Sequence, residues 1–237
     1  MKIYKISEKN YLYTFNNDTT FSKGIYINSL KISYNYYVLT SSTNIEKGQD
    51  KLIFYNIKKK KIINEIEGYT FIKEPNGLAL MNNKKFKNLF CICKNDYEEK
   101  KNGILIITLL LNDKKLYLSF NNTYKFKPYC VCPIKLYDNN ENNNLFNIDI
   151  NGNNTDYFLV GGFDLEKGEG KIKLFKIIII DCKYEIFIRI NFIQNIEESY
   201  RFESTIKCII QSKFDRKITA LCINGDRKNF DIPGLVK

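Results

Sequence analysis

The sequence predicts an all-β chain whose strands come in repeating groups of four. Short runs rich in Ile, Val, Tyr, Phe and Leu are bounded by clusters of Asn, Asp, Gly and Lys, and no window holds the apolar period of a helix for long. A strand that closes on a bulky apolar residue followed by a polar one recurs with a period near fifty residues. Between these recurrences, further strand signals follow in one order.

The recurring strand appears as Lys2-Ile3-Tyr4-Lys5, Lys51-Leu52-Ile53-Phe54-Tyr55-Asn56, Gly103-Ile104-Leu105-Ile106-Ile107-Thr108 and Gly170-Lys171-Ile172-Lys173-Leu174-Phe175-Lys176. A weaker fifth copy ends on Phe230. Anchored on Tyr4, Tyr55, Ile107, Phe175 and Phe230, the spacings are 51, 52, 68 and 55 residues. The long interval contains the Asn-rich runs at 138–144 and 151–154, insertions of the kind that surface loops accept at little entropic cost. Self-similarity at such a period marks a repeat architecture.

Within the intervals, strands are expected at 77–81, 88–93, 103–110 and 114–120, then at 129–134, 156–161, 171–176 and 184–193. Four antiparallel strands per repeat make a β-propeller blade. The division expected is a single domain over 1–237: a half blade at 1–20, blades at about 21–70, 71–122 and 123–196, and an incomplete blade at 197–237. The stretch at 195–200 is long enough for one helical turn at most.

The pattern of an apolar second strand, a short polar loop and a Gly-x-Ile-x-Leu-aromatic-polar third strand resembles WD-repeat β-propellers. It is clearest in Phe158-Leu159-Val160-Gly161-Gly162-Phe163-Asp164 followed by Gly170 to Lys176. The chain has no Trp and no His, so the family's Trp-Asp dipeptide and Gly-His pair are absent. Phe175-Lys176, Tyr55-Asn56 and Tyr4-Lys5 stand in the dipeptide's place, where an aromatic ring fills the gap between blades. The resemblance implies a non-catalytic scaffold that presents loops from several blades and binds other proteins or peptides. The alternative is a basic propeller that binds a phosphoinositide membrane or nucleic acid. Lipid-binding members of the family carry a paired arginine, and no Arg-Arg pair occurs here.

With 237 residues, 44% of them hydrophobic, the chain is long enough to bury a core. The net charge of +11 raises anionic partners, but the lysines are scattered through almost every loop. The one dense run, Lys58 to Lys61, lies between two strand signals and reads as a solvated hairpin tip. The opening residues, Met1 to Ile6, interleave charges with apolar residues and read as a strand, not as a leader. The apolar runs at 103–111 and 177–180 are too short to span a bilayer as helix. A soluble, cytoplasmic protein is expected.

Lack of histidine excludes the commonest general base and the triads built on it. Glu197-Glu198 and the trio Asp96, Glu98 and Glu99 have no partner in pattern and read as polar loops, so no catalytic residues and no cofactor are expected. Gly161-Gly162 and Gly168-Glu169-Gly170 lack the strand-to-helix setting of a phosphate loop and read as tight turns. Seven cysteines include two Cys-x-Cys pairs, Cys91/Cys93 and Cys130/Cys132. Each pair lies in an apolar run with one intervening residue, where structural zinc pairs have two to four. Reduced core thiols with no metal are expected.

Closure is the last expectation. The chain opens with a third and a fourth strand, at 2–6 and 11–16, and ends with a first and second, at 206–210 and 217–222, and a degenerate third near Phe230. About four blades in an open arc are expected, completed by another chain or a further segment. The other arrangement is a four-bladed ring closed by pairing Ile3 to Lys5 with Ile218 to Leu221.

Overall fold

A computed structural model describes residues 2–4, 11–14, 25–32, 37–44, 49–56, 59, 61–67, 77–81, 89–94, 102–109, 116–134, 154–181, 186–196, 202–212 and 217–231. The regular elements among them are β-strands, with no α-helix. β1 (Lys2–Tyr4) and β2 (Tyr11–Thr14) pair as the first sheet. The second sheet holds β3 (Ile25–Ile32), β4 (Tyr37–Asn44), β5 (Gln49–Asn56) and β6 (Lys61–Glu67). The third holds β7 (Leu78–Leu80), β8 (Leu89–Lys94), β9 (Gly103–Leu109) and β10 (Leu116–Asn122). The fourth holds β11 (Phe126–Ile134), β12 (Asn154–Asp164), β13 (Glu169–Asp181) and β14 (Ile186–Asn195). The fifth holds β15 (Ile206–Gln211), β16 (Ile218–Cys222) and β17 (Arg227–Phe230). Each sheet is an antiparallel meander in chain order, so the blade-like sheets of four expected from the sequence are present. The strand near Phe230 is a regular member of its sheet.

Side chains alternate between the two faces of a strand, so a strand sandwiched between sheets needs apolar residues at every position. β8 meets that demand from Leu89 to Cys93 and is buried throughout, its last residue, Lys94, included. Its Phe90 and Ile92 join Leu52 and Phe54 of the second sheet, and Phe54 and Phe90 meet edge to face at 5.7 Å. Its Leu89, Cys91 and Cys93 face the other way and pack with Phe158, Val160, Phe175 and Ile177 of the fourth sheet. The fourth sheet's other face, through Leu159, Ile172 and Leu174, meets Ile206, Ile218, Ala220 and Phe230 of the fifth. Three apolar layers therefore join four sheets face to face, each buried Leu, Ile or Phe contributing roughly 1.5–3 kcal/mol.

The anchors occupy equivalent places. Tyr55 lies opposite Val38, Ile107 opposite Phe90, Phe175 opposite Phe158 and Phe230 opposite Ile218. Tyr55, Phe175 and Phe230 are buried; the side chains of Tyr4 and Ile107 lie outside the described set. The outer strand slips register immediately before the anchor in three sheets, at Ile3/Tyr4, Phe54/Tyr55 and Leu174/Phe175.

A second bulge recurs on the first strand of the second, fourth and fifth sheets, leaving Asn28, Tyr129 and Lys207 without an opposite residue. One extra residue reverses the facing of everything beyond it. That is how Phe126 and Val131, five positions apart, come to share one apolar layer, while Cys130, Cys132 and Ile134 enter the next. Among the described residues β16 is flanked by β15 and β17, and β1 is bonded to β2. The described ladders do not include the β1–β16 pair that would close a ring.

Candidate interaction rim

Among the described residues, the crossovers leading into the fourth and fifth sheets meet the hairpins that join second to third strands. The crossover between β10 and β11, residues 123–125, is held on both sides. Thr123 N donates to Asn102 O at 2.8 Å, at the mouth of the β8–β9 hairpin, and Leu165 N in the β12–β13 turn donates to Lys125 O at 2.9 Å. Thr123 also donates its hydroxyl to Phe126 O at 3.0 Å. The next crossover, residues 202–205, repeats the arrangement. Gly170 N donates to Phe202 O at 2.9 Å, and Ile223 N in the β16–β17 turn donates to Thr205 O at 2.9 Å. These bonds tie each described crossover to a hairpin on either side, and they offset the cost of taking those backbone groups out of water.

Charge reinforces the same turn. Asp164, the last residue of β12, accepts backbone hydrogen bonds from Glu166 N at 2.9 Å and Lys167 N at 3.1 Å on Oδ1. Its Oδ2 lies 3.0 Å from the ammonium of Lys171, which also stands 4.0 Å from Glu169. Burial alone would raise the Asp164 carboxyl, but the bonds from Lys171 and the two backbone donors outweigh it and hold the group below the ordinary carboxylate value. On the outside of the rim Lys125 pairs with Glu166, whose hydrogen bond raises the lysine. Tyr124 and Ile223 are more than half exposed beside these pairs. The described rim thus presents aromatic, aliphatic and paired charged groups to solvent.

At the inner edges of the fourth and fifth sheets the two bulged residues meet, with Lys207 Nζ 3.8 Å from the centroid of the Tyr129 ring, a cation–π contact.

Sites read from the sequence fall as follows. Cys91 and Cys93 lie in the layer between third and fourth sheets, and Cys130 and Cys132 in the layer between fourth and fifth. The described cysteines are all free thiols, and desolvation raises Cys91, Cys93 and Cys130 well above the usual range and Cys132 to about 11. Gly161 and Gly162 are not turn residues: they sit inside β12, where a side chain has no room. A Cβ on Gly161 would come within 2.7 Å of both Cys130 Sγ and Ile206 Cγ2. Gly168, with φ of 66°, does serve the turn, and Gly170 lies in β13. Lys59 and Lys61 are exposed at the β5–β6 hairpin, where Lys59 N donates to Asn56 Oδ1 at 2.8 Å. Asp96, Glu98, Glu99, Glu197, Glu198, Cys182 and the Asn-rich runs up to residue 153 lie outside the described residues, and Asn154 opens β12. Buried Lys171 was invisible to sequence reading because a lysine on a strand reads as solvated.

The chain matches no protein-family model and no curated protein. No helix among the described residues is long and apolar enough to cross a membrane.

Proposed function

We propose that this chain is a non-catalytic protein-interaction scaffold, a WD-repeat-like propeller of about four blades in an open arc that binds other proteins or peptides through its rim. The observation that carries the reading is the clamping of each described crossover between two hairpins, which holds Tyr124, Lys125, Glu166 and Ile223 in fixed relation across three sheets. Rigid presentation lowers the ordering cost of association. The repeated anchors and bulges support the propeller assignment. Affinity capture from the native cell, comparing the wild type with Tyr124→Ala/Ile223→Ala, tests it. The expected result is a defined set of proteins lost with the double variant. Capture of the same set by both would overturn the rim assignment.

The second reading, a basic propeller for phosphoinositide or nucleic acid, draws on the net charge of +11 and the exposed Lys59 and Lys61. Sedimentation with phosphoinositide-containing vesicles at two salt concentrations separates the readings, since phosphate binding falls steeply with salt.

A further inference from the structure

Among the described residues the fifth sheet has one strand fewer than the three before it, and β17 is its outermost described strand. Cys222 N donates to Asp226 O at 2.9 Å, which makes 222/226 a hydrogen-bonded pair. Antiparallel pairs alternate, so Ala220/Lys228 and Ile218/Phe230 are also hydrogen-bonded pairs. The backbone N–H and C=O of Arg227 and Asn229 therefore point away from β16, along an outer edge that no described strand covers.

A second, independent observation lies on the fourth sheet. Where the third and fourth sheets meet, the outermost strands also touch: β14 packs against β10, Ile186, Ile188 and Ile190 enter the layer, and Asn121 Nδ2 donates to Ile190 O at 3.2 Å. Where the fourth and fifth meet, the layer stops short. The cross-strand rows Tyr157–Lys176–Asn191, Thr155–Ile178–Arg189 and Ile180–Phe187 continue the face of Leu159, Ile172 and Leu174 outward. Phe187 on that face is 52% exposed and Ile178 and Ile180 are half-buried, whereas Ile177 and Ile179 on the opposite face are fully buried.

We infer that the edge of β17 and this face of β13 and β14 form a strand-acceptor slot, filled by an extended acidic segment of a partner protein. The segment pairs with Arg227 and Asn229 as the fourth strand of the fifth sheet and lays alternate apolar side chains over Ile178, Ile180 and Phe187. Main-chain bonds to an edge supply affinity, and the side chains that alternate above the sheet supply selectivity. The acidic preference follows from charge. Lys176 and Arg189 stand on the floor of the slot and Lys228, on the face of β17 turned to the fourth sheet, at its edge, while the carboxylates of Asp226 and Asp231 flank β17 at its ends. The slot is continuous with the apolar layer that already joins the two sheets.

This site deepens the scaffold reading and rests on it. The probe is a fluorescein-labelled, acetylated peptide of sequence Glu-Ile-Glu-Val-Glu-Ile-Glu, titrated into the full chain and followed by anisotropy. Saturable binding is expected, weakened about tenfold or more when every Glu is replaced by Lys, and equally by Phe187→Glu or Asn229→Pro. Asn229→Pro removes an outward N–H without touching the β16 ladder, and circular dichroism of both variants should match the wild type. If Asn229→Pro fails to fold, Phe187→Glu alone decides. The rim variant Tyr124→Ala/Ile223→Ala should bind the peptide normally, so failure of the rim and failure of the slot are read separately. Four results would overturn the proposal: no binding of the acidic peptide; binding unchanged in the variants; a concentration-dependent dimer abolished by the same variants, which makes a second copy the occupant; or slow amide exchange at Arg227 and Asn229 in the peptide-free chain, which makes its own segment the occupant.

Discussion

The ammonium of Lys171 lies 3.0 Å from Asp164 Oδ2, with the lysine only 4% exposed. The two residues sit on opposite strands of the β12–β13 hairpin, two positions out of direct register and so diagonal on one face, because Lys171 faces Gly162 and Asp164 faces Glu169. A charge this deep is stable only with its counter-charge, and the carboxylate is itself fixed by two backbone donors.

Replacing Asp164 with Asn should therefore destabilise the fold by about 3 kcal/mol, since it takes the nearest carboxylate charge, at 3.0 Å, from a buried ammonium. Lys171→Met should cost less, because Asp164 keeps its backbone donors and part of its solvation. Urea unfolding of the two variants, with m-values checked for equality, measures the difference. Equal losses would mean that the pair contributes nothing beyond packing.

The same carboxyl sets an acid response. Its folded pKa lies below the ordinary value of 3.8. A group depressed on folding stabilises the native state fully above its unfolded value and loses that contribution as pH falls through the folded one. The stability gap between wild type and Asp164→Asn should thus hold steady above pH 5 or so and shrink below about 4. Urea midpoints from pH 6 to pH 2.5 would show it, and a gap that widens on acidification would reverse the sign assigned here.

Most of the strand order was legible because apolar runs and turn residues repeat at one spacing, and the anchors Tyr55, Phe175 and Phe230 mark equivalent places in three sheets. The bulges were not. Each adds a single residue to an otherwise regular alternation, and only the partner strand reveals it, as at Tyr129 between Pro128 and Cys130. Gly161 and Gly162 read as a turn for a related reason: glycine marks a bend and a close approach alike, and what separates them at Gly161 is the approach of Cys130 and Ile206, both distant in the sequence. The rim was partly visible as polar loops, but its clamps are backbone bonds between distant turns, which leave no signature in side-chain identity.

Gly161→Ala tests the close approach. The new methyl would meet Cys130 Sγ and Ile206 Cγ2, both at 2.7 Å, in a layer with no slack. A loss of about 1–3 kcal/mol is expected, the usual cost of overpacking. The double variant Gly161→Ala/Cys130→Ala should recover part of it, since it removes one of the clashing atoms. No recovery would point to Ile206 as the dominant obstacle.

Thiol reactivity should follow burial. Desolvation raises all the described cysteines, but Cys208 is only half-buried while Cys91, Cys93 and Cys130 are enclosed. Brief treatment of the native chain with iodoacetamide at pH 8, followed by peptide mass spectrometry, should label Cys208 first among these and leave the enclosed three unmodified until denaturant is added. Cys132, pushed up to about 11, should stay slow up to pH 9. Early labelling of Cys91 or Cys93 would mean that the third and fourth sheets separate readily.

Phe175 carries the strongest test of the repeat register. It is 1% exposed, stacks on Phe158 with ring centroids 5.4 Å apart, and meets Phe192 edge to face at 5.7 Å. Truncation removes a buried ring from between two sheets and leaves a cavity that rigid neighbours fill poorly, so Phe175→Ala should cost about 3–5 kcal/mol. Phe192 touches the same ring from the outer strand but is 50% exposed, and Phe192→Ala should cost about 1 kcal/mol. Thermal and urea unfolding of both variants give the ratio directly. Comparable losses would place the outer strand at the heart of the interface and deny Phe175 its greater share of the packing between the third and fourth sheets.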